Sequence, residues 1–372
     1  MSNPEVELNR LRQCIDDTDS ELVRLLLQRR ELAAQVGVVK RQLGQPLYVP
    51  EREENLLKAR RQQATDVGLS ADLIEDVLRR VIRESYQQQQ AADVHLQGKN
   101  IVVVGGAGAL GQLFVRLFES AGAAVNILDK DDWGLAETYC ADADLVLVAV
   151  PVAITEQVIE QLPSLPPQCI LADMTSIKRR PLVAMLAKHS GPVVGLHPMF
   201  GPQQATLAKQ LMVACHGRDE DSYQWLLQSI QRWGAQVQLI DAEQHDQAMA
   251  FVQVLRHLST FVYGAHLAQE HADVQQLLDL SSPIYRLELM MVGRLFAQNA
   301  NLYADIILSE PRNFTMLKRY VRLFDQVITQ LEHGDKQQFI EKFAEIRQYF
   351  GEFSGKFLTE SQRLLDTAGD AQ

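Results

Sequence analysis

The apolar run Ile101-Val102-Val103-Val104 stops at Gly105-Gly106-Ala107-Gly108-Ala109-Leu110-Gly111. Few folds accommodate such a stop, because a buried strand must turn at once into a helix while its backbone stays bare. Gly106, Gly108 and Gly111 fit G-x-G-x-x-G, and a helix continuing from Leu110 to Ala121 would turn free N–H groups and the positive end of its dipole toward a pyrophosphate. A glycine-rich turn of this kind can also be purely structural, so its surroundings decide. A second apolar run, Ala123 to Leu128, ends at Asp129, 18 residues past Gly111, where a carboxylate would accept hydrogen bonds from an adenosine ribose. The same carboxylate would repel a 2′-phosphate, which makes NAD the expected cofactor over NADP.

The hydrophobic period changes twice along the 372 residues. From 8 to 43, apolar side chains at Leu8, Leu11, Ile15, Leu22, Leu25, Leu26, Leu32, Val36, Val39 and Leu43 keep a helical period until Gly44-Gln45-Pro46. One helix of that length spans more than ~50 Å, too long for a unit of ninety residues to cover alone, so a second copy of the chain is expected against it. Helices over Glu51 to Asp66 and Ala71 to Gln89 complete an all-α domain over 1–92, and a glutamine run leads into a linker. Between 99 and 243 the pattern becomes short apolar runs separated by helices: Ile101 to Val104, Val125 to Leu128, Leu145 to Val150, Ile170 to Asp173, Val193 to Leu196 and Leu211 to Cys215. That alternation reads as an α/β Rossmann-type, doubly wound domain. From 244 to 372 helices take over, among them Asp246 to Glu270, Tyr285 to Ala297 and Pro311 to Glu332, as expected of an all-helical domain that closes a substrate cleft and dimerises.

A net charge of −11 and a pI near 5.4 give no broad attraction to nucleic acid or an anionic membrane, so an anionic substrate must be held by locally placed cations. Residues 1–92 carry 14 Lys/Arg against 15 Asp/Glu, which leaves nearly all the negative charge to the remainder. Cys14, Cys140, Cys169 and Cys215 are scattered, without metal-ligand spacing, and read as reduced thiols. The chain opens on a polar helix, and no window approaches ~18 uninterrupted apolar residues, so a cytoplasmic protein is expected.

Two segments that follow apolar runs read as loops: Asp173-Met174-Thr175-Ser176-Ile177-Lys178 and His197-Pro198-Met199-Phe200-Gly201-Pro202. Both should lie at the C-terminal edge of the sheet, where open α/β sheets bind their ligands. His197 is therefore the candidate catalytic histidine, and the other eight are read as ordinary structural residues. Arg286 and Arg294, eight apart after Pro283, share one helix face. Solvated salt bridging would explain them, yet Arg294 sits in Met290-Met291-Val292-Gly293-Arg294-Leu295-Phe296, where an anionic partner such as a substrate carboxylate is expected.

Leu196-His197-Pro198-Met199-Phe200-Gly201-Pro202, Ser281-Ser282-Pro283-Ile284-Tyr285-Arg286 and Val292-Gly293-Arg294-Leu295-Phe296 together resemble the prephenate dehydrogenases. With its N-terminal helices, the chain is similar throughout to the fused chorismate mutase/prephenate dehydrogenases of enteric-type bacteria. The resemblance implies that His197 assists deprotonation of the 4-hydroxyl of prephenate as hydride leaves for NAD, and that Arg294 grips the ring carboxylate. It also implies that Ser176 orients His197 or the hydroxyl, and that Lys178 and Arg286 add positive potential. L-tyrosine is implied as a feedback inhibitor at or beside this pocket. For the all-helical mutase it implies a homodimer in which Arg29, Lys40, Arg52, Glu53, Ser85 and Gln89 surround chorismate, with Arg12 supplied by the other subunit. Lys40 and Gln89 would contact the ether oxygen. Such a rearrangement needs placed cations and donors and no nucleophile. One departure is Val49, where some helical mutases carry an acidic residue. Two alternatives stay open: arogenate dehydrogenase activity with a vestigial mutase domain, and an inactive tyrosine or nucleotide sensor.

Overall fold

The computed structural model describes residues 4–43, 45, 48–89, 94–204 and 206–369, with backbone only at 41–42, 87–89 and 366–369. Two compact units divide the chain, Met1–His245 and Asp246–Gln372, so the N-terminal helices and the sheet fall in one unit.

The first helices are α1 (Pro4–Gln42), α2 (Pro50–Asp66) and α3 (Ala71–Gln89). Acidic residues Glu5 and Glu7 favour the dipole of α1, and Pro50, whose fixed φ suits a first turn and whose missing N–H costs nothing there, opens α2 behind the extended Val49. Gly68, at φ +79°, ends that helix in a turn which side-chain-bearing residues rarely adopt. Gln90 at the end of the glutamine run, residues 91–93 of the linker expected to reach Gly98, and the side chains of residues 87–89 lie outside the described residues.

The sheet alternates with helices in the order β1 (Asn100–Val104), α4 (Ala109–Ser120), β2 (Ala124–Leu128), α5 (Ala136–Cys140), β3 (Leu145–Val148), α6 (Thr155–Gln161), β4 (Ile170–Asp173), α7 (Arg179–Lys188), β5 (Val193–Pro198), β6 (Leu211–Arg218), α8 (Glu220–Arg232) and β7 (Gln236–Leu239). In space the strands run β2-β1-β3-β4-β5-β6-β7. β1 reads as an unbroken apolar run because both its faces are covered: Ile101 and Val103 pack with Phe114, Phe118 and Trp233, while Val102 and Val104 pack with Leu128 and Val146.

Two details depart from the sequence reading. β6 runs antiparallel to β5, and this pairing extends β5 so that His197 opposes Val213 inside the strand instead of following it in a loop. β7, parallel to β6, carries no apolar run because it is a mostly exposed edge strand.

α9 (Ala242–Met249) leads through a π-helical turn, Ala250–Leu255, into α10 (Arg256–Gln269), where one unbroken helix was expected. α11 (Val274–Asp279), α12 (Pro283–Phe296), α13 (Ala300–Leu308), α14 (Arg312–Glu332), α15 (Lys336–Phe350) and α16 (Glu352–Gly369) follow. The second unit has a sparse core around Val254, Ile306 and Leu317. Among the described residues no helix is long and apolar enough to cross a membrane.

Candidate active sites

Glycines shape the turn between β1 and α4 for two different reasons. Gly105 holds φ +80° against β3's end, where a Cβ would lie 2.6 Å from the Ala149 carbonyl oxygen. At Gly111 a Cβ would lie 2.3 Å from the oxygen of Gly105, so only glycine lets α4 close onto the turn. Gly106 packs under Ile127, and Gly108 caps α4 with no side chain over its first N–H groups. Asp129 stands at the mouth of this turn, its Oδ2 accepting the Ala107 N–H at 2.9 Å. A bare turn, an open helix N-terminus and a carboxylate beside them fit a dinucleotide.

Further along the sheet, three donors meet on one carboxylate oxygen. Oδ2 of Asp173, at the end of β4, accepts the Thr175 N–H at 3.0 Å, the Thr175 hydroxyl at 2.5 Å and the Lys178 ammonium at 2.5 Å. Lys178 also donates to the carbonyl of Leu196 at 2.6 Å, which ties β4's turn to the residue before His197. Both members of this pair are wholly buried. Lys178, expected to add positive potential around a dianionic substrate, is thus paired with Asp173, and its geometry fixes the end of β5. Gly195 makes room for both, since a Cβ there would sit 3.2 Å from Lys178 Cδ. Ser176 is half-buried in the same turn.

His197 is itself buried, and its Nδ1 lies 2.8 Å from Nε2 of His245 on α9. Burial first, then the neighbouring His245 and Lys178, hold the His197 imidazole well below the usual histidine range, so it is neutral at neutral pH. For Nε2 of His197 to accept a proton, its Nδ1 must carry hydrogen and donate to His245; tautomer and role follow from that requirement. His245 carried no sequence signal beyond being a histidine after the last strand.

In the second unit, Ser282 caps α12 by accepting the Tyr285 N–H, with Pro283 first in the helix. Leu289 and Val292 face the core, while Arg286 and Arg294 lie on an exposed face. Burial therefore forces no anion onto Arg294, contrary to the argument from its apolar neighbours. The reason is geometric: two positions past Val292 on a helix is the opposite side.

Among the N-terminal helices, Arg29 donates to the Ser85 hydroxyl at 3.1 Å, joining α1 to α3. Burial pulls the Arg29 guanidinium below its usual value. Glu53 is buried and accepts the Tyr86 hydroxyl at 3.2 Å. Lys40 is half-buried near the far end of α1, whereas Arg12 and Arg52 are exposed. Arg12 lies 17 residues from Arg29, roughly 25 Å along one helix, too far for both to hold one small molecule within a single chain. A cavity of about 660 Å³ opens between α2 and α3, and of the expected mutase residues whose side chains are described only Glu53 lines it.

Known proteins divide this chain in the same order. The family described as chorismate mutase type II matches residues 11–90, the prephenate dehydrogenase nucleotide-binding domain matches 119–239, and the prephenate dehydrogenase dimerization domain matches 241–345. The T-protein of Enterobacter agglomerans is 53% identical over 98% of this chain and 99% of its own length. That of Haemophilus influenzae is 48% identical over 98% of this chain and 97% of its own. Among solved structures, prephenate dehydrogenase from Aquifex aeolicus, in complex with hydroxyphenyl propionate and NAD+, covers 69% of this chain and 99% of its own. Its TM-score is 0.56 at 16% identity, a likeness of fold.

Proposed function

The chain belongs to the T-protein family, and from that premise we propose which residues carry its two reactions. It is a bifunctional enzyme of tyrosine biosynthesis that rearranges chorismate to prephenate, then oxidises and decarboxylates prephenate with NAD to 4-hydroxyphenylpyruvate. We assign the mutase to 1–92, NAD binding to 99–243, and substrate binding with dimerisation to 244–372.

The observation that carries the dehydrogenase assignment is the buried, neutral His197 pinned by His245 on the sheet that also bears the glycine turn. Gly106, Gly108, Gly111 and Asp129 would hold NAD, which supplies the acceptor for the hydride leaving C4 of prephenate. Nε2 of His197 takes the proton of the 4-hydroxyl as the C–O bond becomes a carbonyl. The new ketone is conjugated to the carbon bearing the ring carboxylate, so breaking that C–C bond releases carbon dioxide and leaves its electron pair in an aromatic ring. Arg294 holds the ring carboxylate, Arg286 adds positive potential, and Ser176 orients the imidazole or the hydroxyl. Lys178 acts through the backbone of Leu196.

In the mutase, Arg29, Lys40, Arg52, Glu53, Ser85 and Gln89 surround chorismate together with Arg12 of the partner subunit. Lys40 and Gln89 polarise the ether oxygen, and the pericyclic step needs no proton shuttle. Homodimerisation, cytoplasmic residence and inhibition by L-tyrosine complete the reading. The test is to assay purified protein for consumption of chorismate and for NAD reduction with prephenate. Both should proceed. A silent mutase beside an active dehydrogenase would reduce 1–92 to a dimerising domain, and preference for arogenate over prephenate would replace the second substrate.

A further inference from the structure

Glu53, which the reading above places in the mutase pocket, is gripped by a residue from the other catalytic domain. The Lys209 ammonium, 156 positions further on, donates to Glu53 Oε1 at 2.5 Å, while the Tyr86 hydroxyl occupies Oε2 at 3.2 Å. Arg79 is the next cation, but it stands 3.8 Å away and is engaged with Glu75 at 2.7 Å. The Glu53 side chain is 7% exposed, so a carboxylate there requires close donors. Lys209 also lies over the rings of Tyr48 and Tyr86, 5.5 and 5.9 Å from their centroids, and those rings meet edge-on at 5.8 Å.

The backbone that presents Lys209 is built to do so. Lys209 holds φ +65°, a conformation that costs a non-glycine residue energy and persists only where its surroundings impose it. Here the Gln210 N–H bonds to the Leu207 carbonyl at 2.9 Å, the Lys209 N–H to Gly234 at 3.0 Å, and Leu207 is fully buried. At Gly234 a Cβ would come within 2.9 Å of Ala208 Cα, so glycine is what lets this turn close.

We propose that Lys209 of the NAD-binding domain is a positioning residue for the mutase reaction: it holds the Glu53 carboxylate in place and oriented, so that the mutase pocket is complete only with the dehydrogenase domain docked on it. The proposal rests on Glu53 serving the mutase.

The experiment uses the full chain, with Lys209→Met, Lys209→Arg, Glu53→Gln and the double variant Lys209→Met/Glu53→Gln. Chorismate turnover and NAD-dependent prephenate oxidation are followed together. Lys209→Met should lower mutase kcat/KM roughly ten-fold or more, the scale of a lost hydrogen bond to a charged group. Lys209→Arg should recover most of that loss, prephenate oxidation should stay within two-fold, and Lys209→Met should cost nothing further once Glu53 is Gln. A bridge that merely glues domains would lower the melting temperature and leave mutase kinetics alone. An unchanged or higher mutase rate in Lys209→Met, an equal loss in the Glu53→Gln background, or a parallel fall in both activities overturns the proposal. If Glu53→Gln is itself silent, the assignment of Glu53 to the mutase pocket falls first.

Discussion

Burial decides what each ionisable side chain in the dehydrogenase half can do. His197 could be singled out because it follows an apolar run and precedes a Pro/Gly turn, whereas His245, 48 residues away at the start of a helix, meets it only once the fold joins them. Because burial and His245 both hold the His197 proton affinity down, the acid limb of dehydrogenase kcat/KM should lie below the ordinary histidine value of about 6.5. Replacing His245 with Asn removes the second of those causes, so the limb should move up in a pH–rate profile; a limb that stays put would separate the two rings functionally. His197→Asn should cut dehydrogenase kcat roughly a hundred- to ten-thousand-fold and leave chorismate turnover intact. The partner of Lys178 was not legible for a simple reason: sequence shows a cation after a strand but not the buried carboxylate it pairs with. Lys178→Met leaves Asp173 buried and uncompensated, which should cost about 3–5 kcal/mol in denaturant unfolding. A variant as stable as its parent, with only a raised KM for prephenate, would return the ammonium to the substrate.

Elements were readable where their own residues decide their state. α1, α2 and α3 fall within a few residues of the helical periods, since Pro50, Gly68 and an unbroken apolar stripe mark them locally. β1 and its turn were readable for the same reason: four β-formers end at glycines whose missing Cβ is a steric necessity. What depends on a distant partner was not readable. The antiparallel β6 lengthens β5 through pairing, and edge strand β7 needs no apolar run. The π-helical turn at Ala250–Leu255 also leaves the hydrophobic period too little altered to notice. The glycine turn makes a quantitative claim of its own. Gly111→Ala drives a methyl to within 2.3 Å of the Gly105 oxygen, so the turn must open and the affinity for NAD should fall at least roughly ten-fold, as measured by titration against the folded apoenzyme. Affinity unchanged within two-fold would place the pyrophosphate elsewhere.

At the scale of the whole molecule, the long first helix poses the question that one chain leaves open. Ile15 is 59% exposed, and Leu8, Leu11, Leu22, Leu25, Leu32, Val36 and Val39 are exposed with it along α1. The second unit likewise bares Phe324, Phe343, Phe353 and Leu358. Exposed apolar faces of this length mark association surfaces. If a second α1 covers the first, Arg12 reaches a site that its own Arg29 cannot share, and each mutase pocket draws on two chains. Mixing turns that geometry into arithmetic. Arg12→Ala and Lys40→Ala homodimers should each lack mutase activity, but in a mixed dimer one pocket collects both lesions and the other collects neither. After subunit exchange at equal concentrations, half the dimers are mixed, so activity should return to about a quarter of the parent's. Recovery of that size, dependent on time and on exchange, requires a pocket shared between chains. No recovery, with exchange verified by mass, would confine each mutase site to a single chain and leave the bared face of α1 to some other contact.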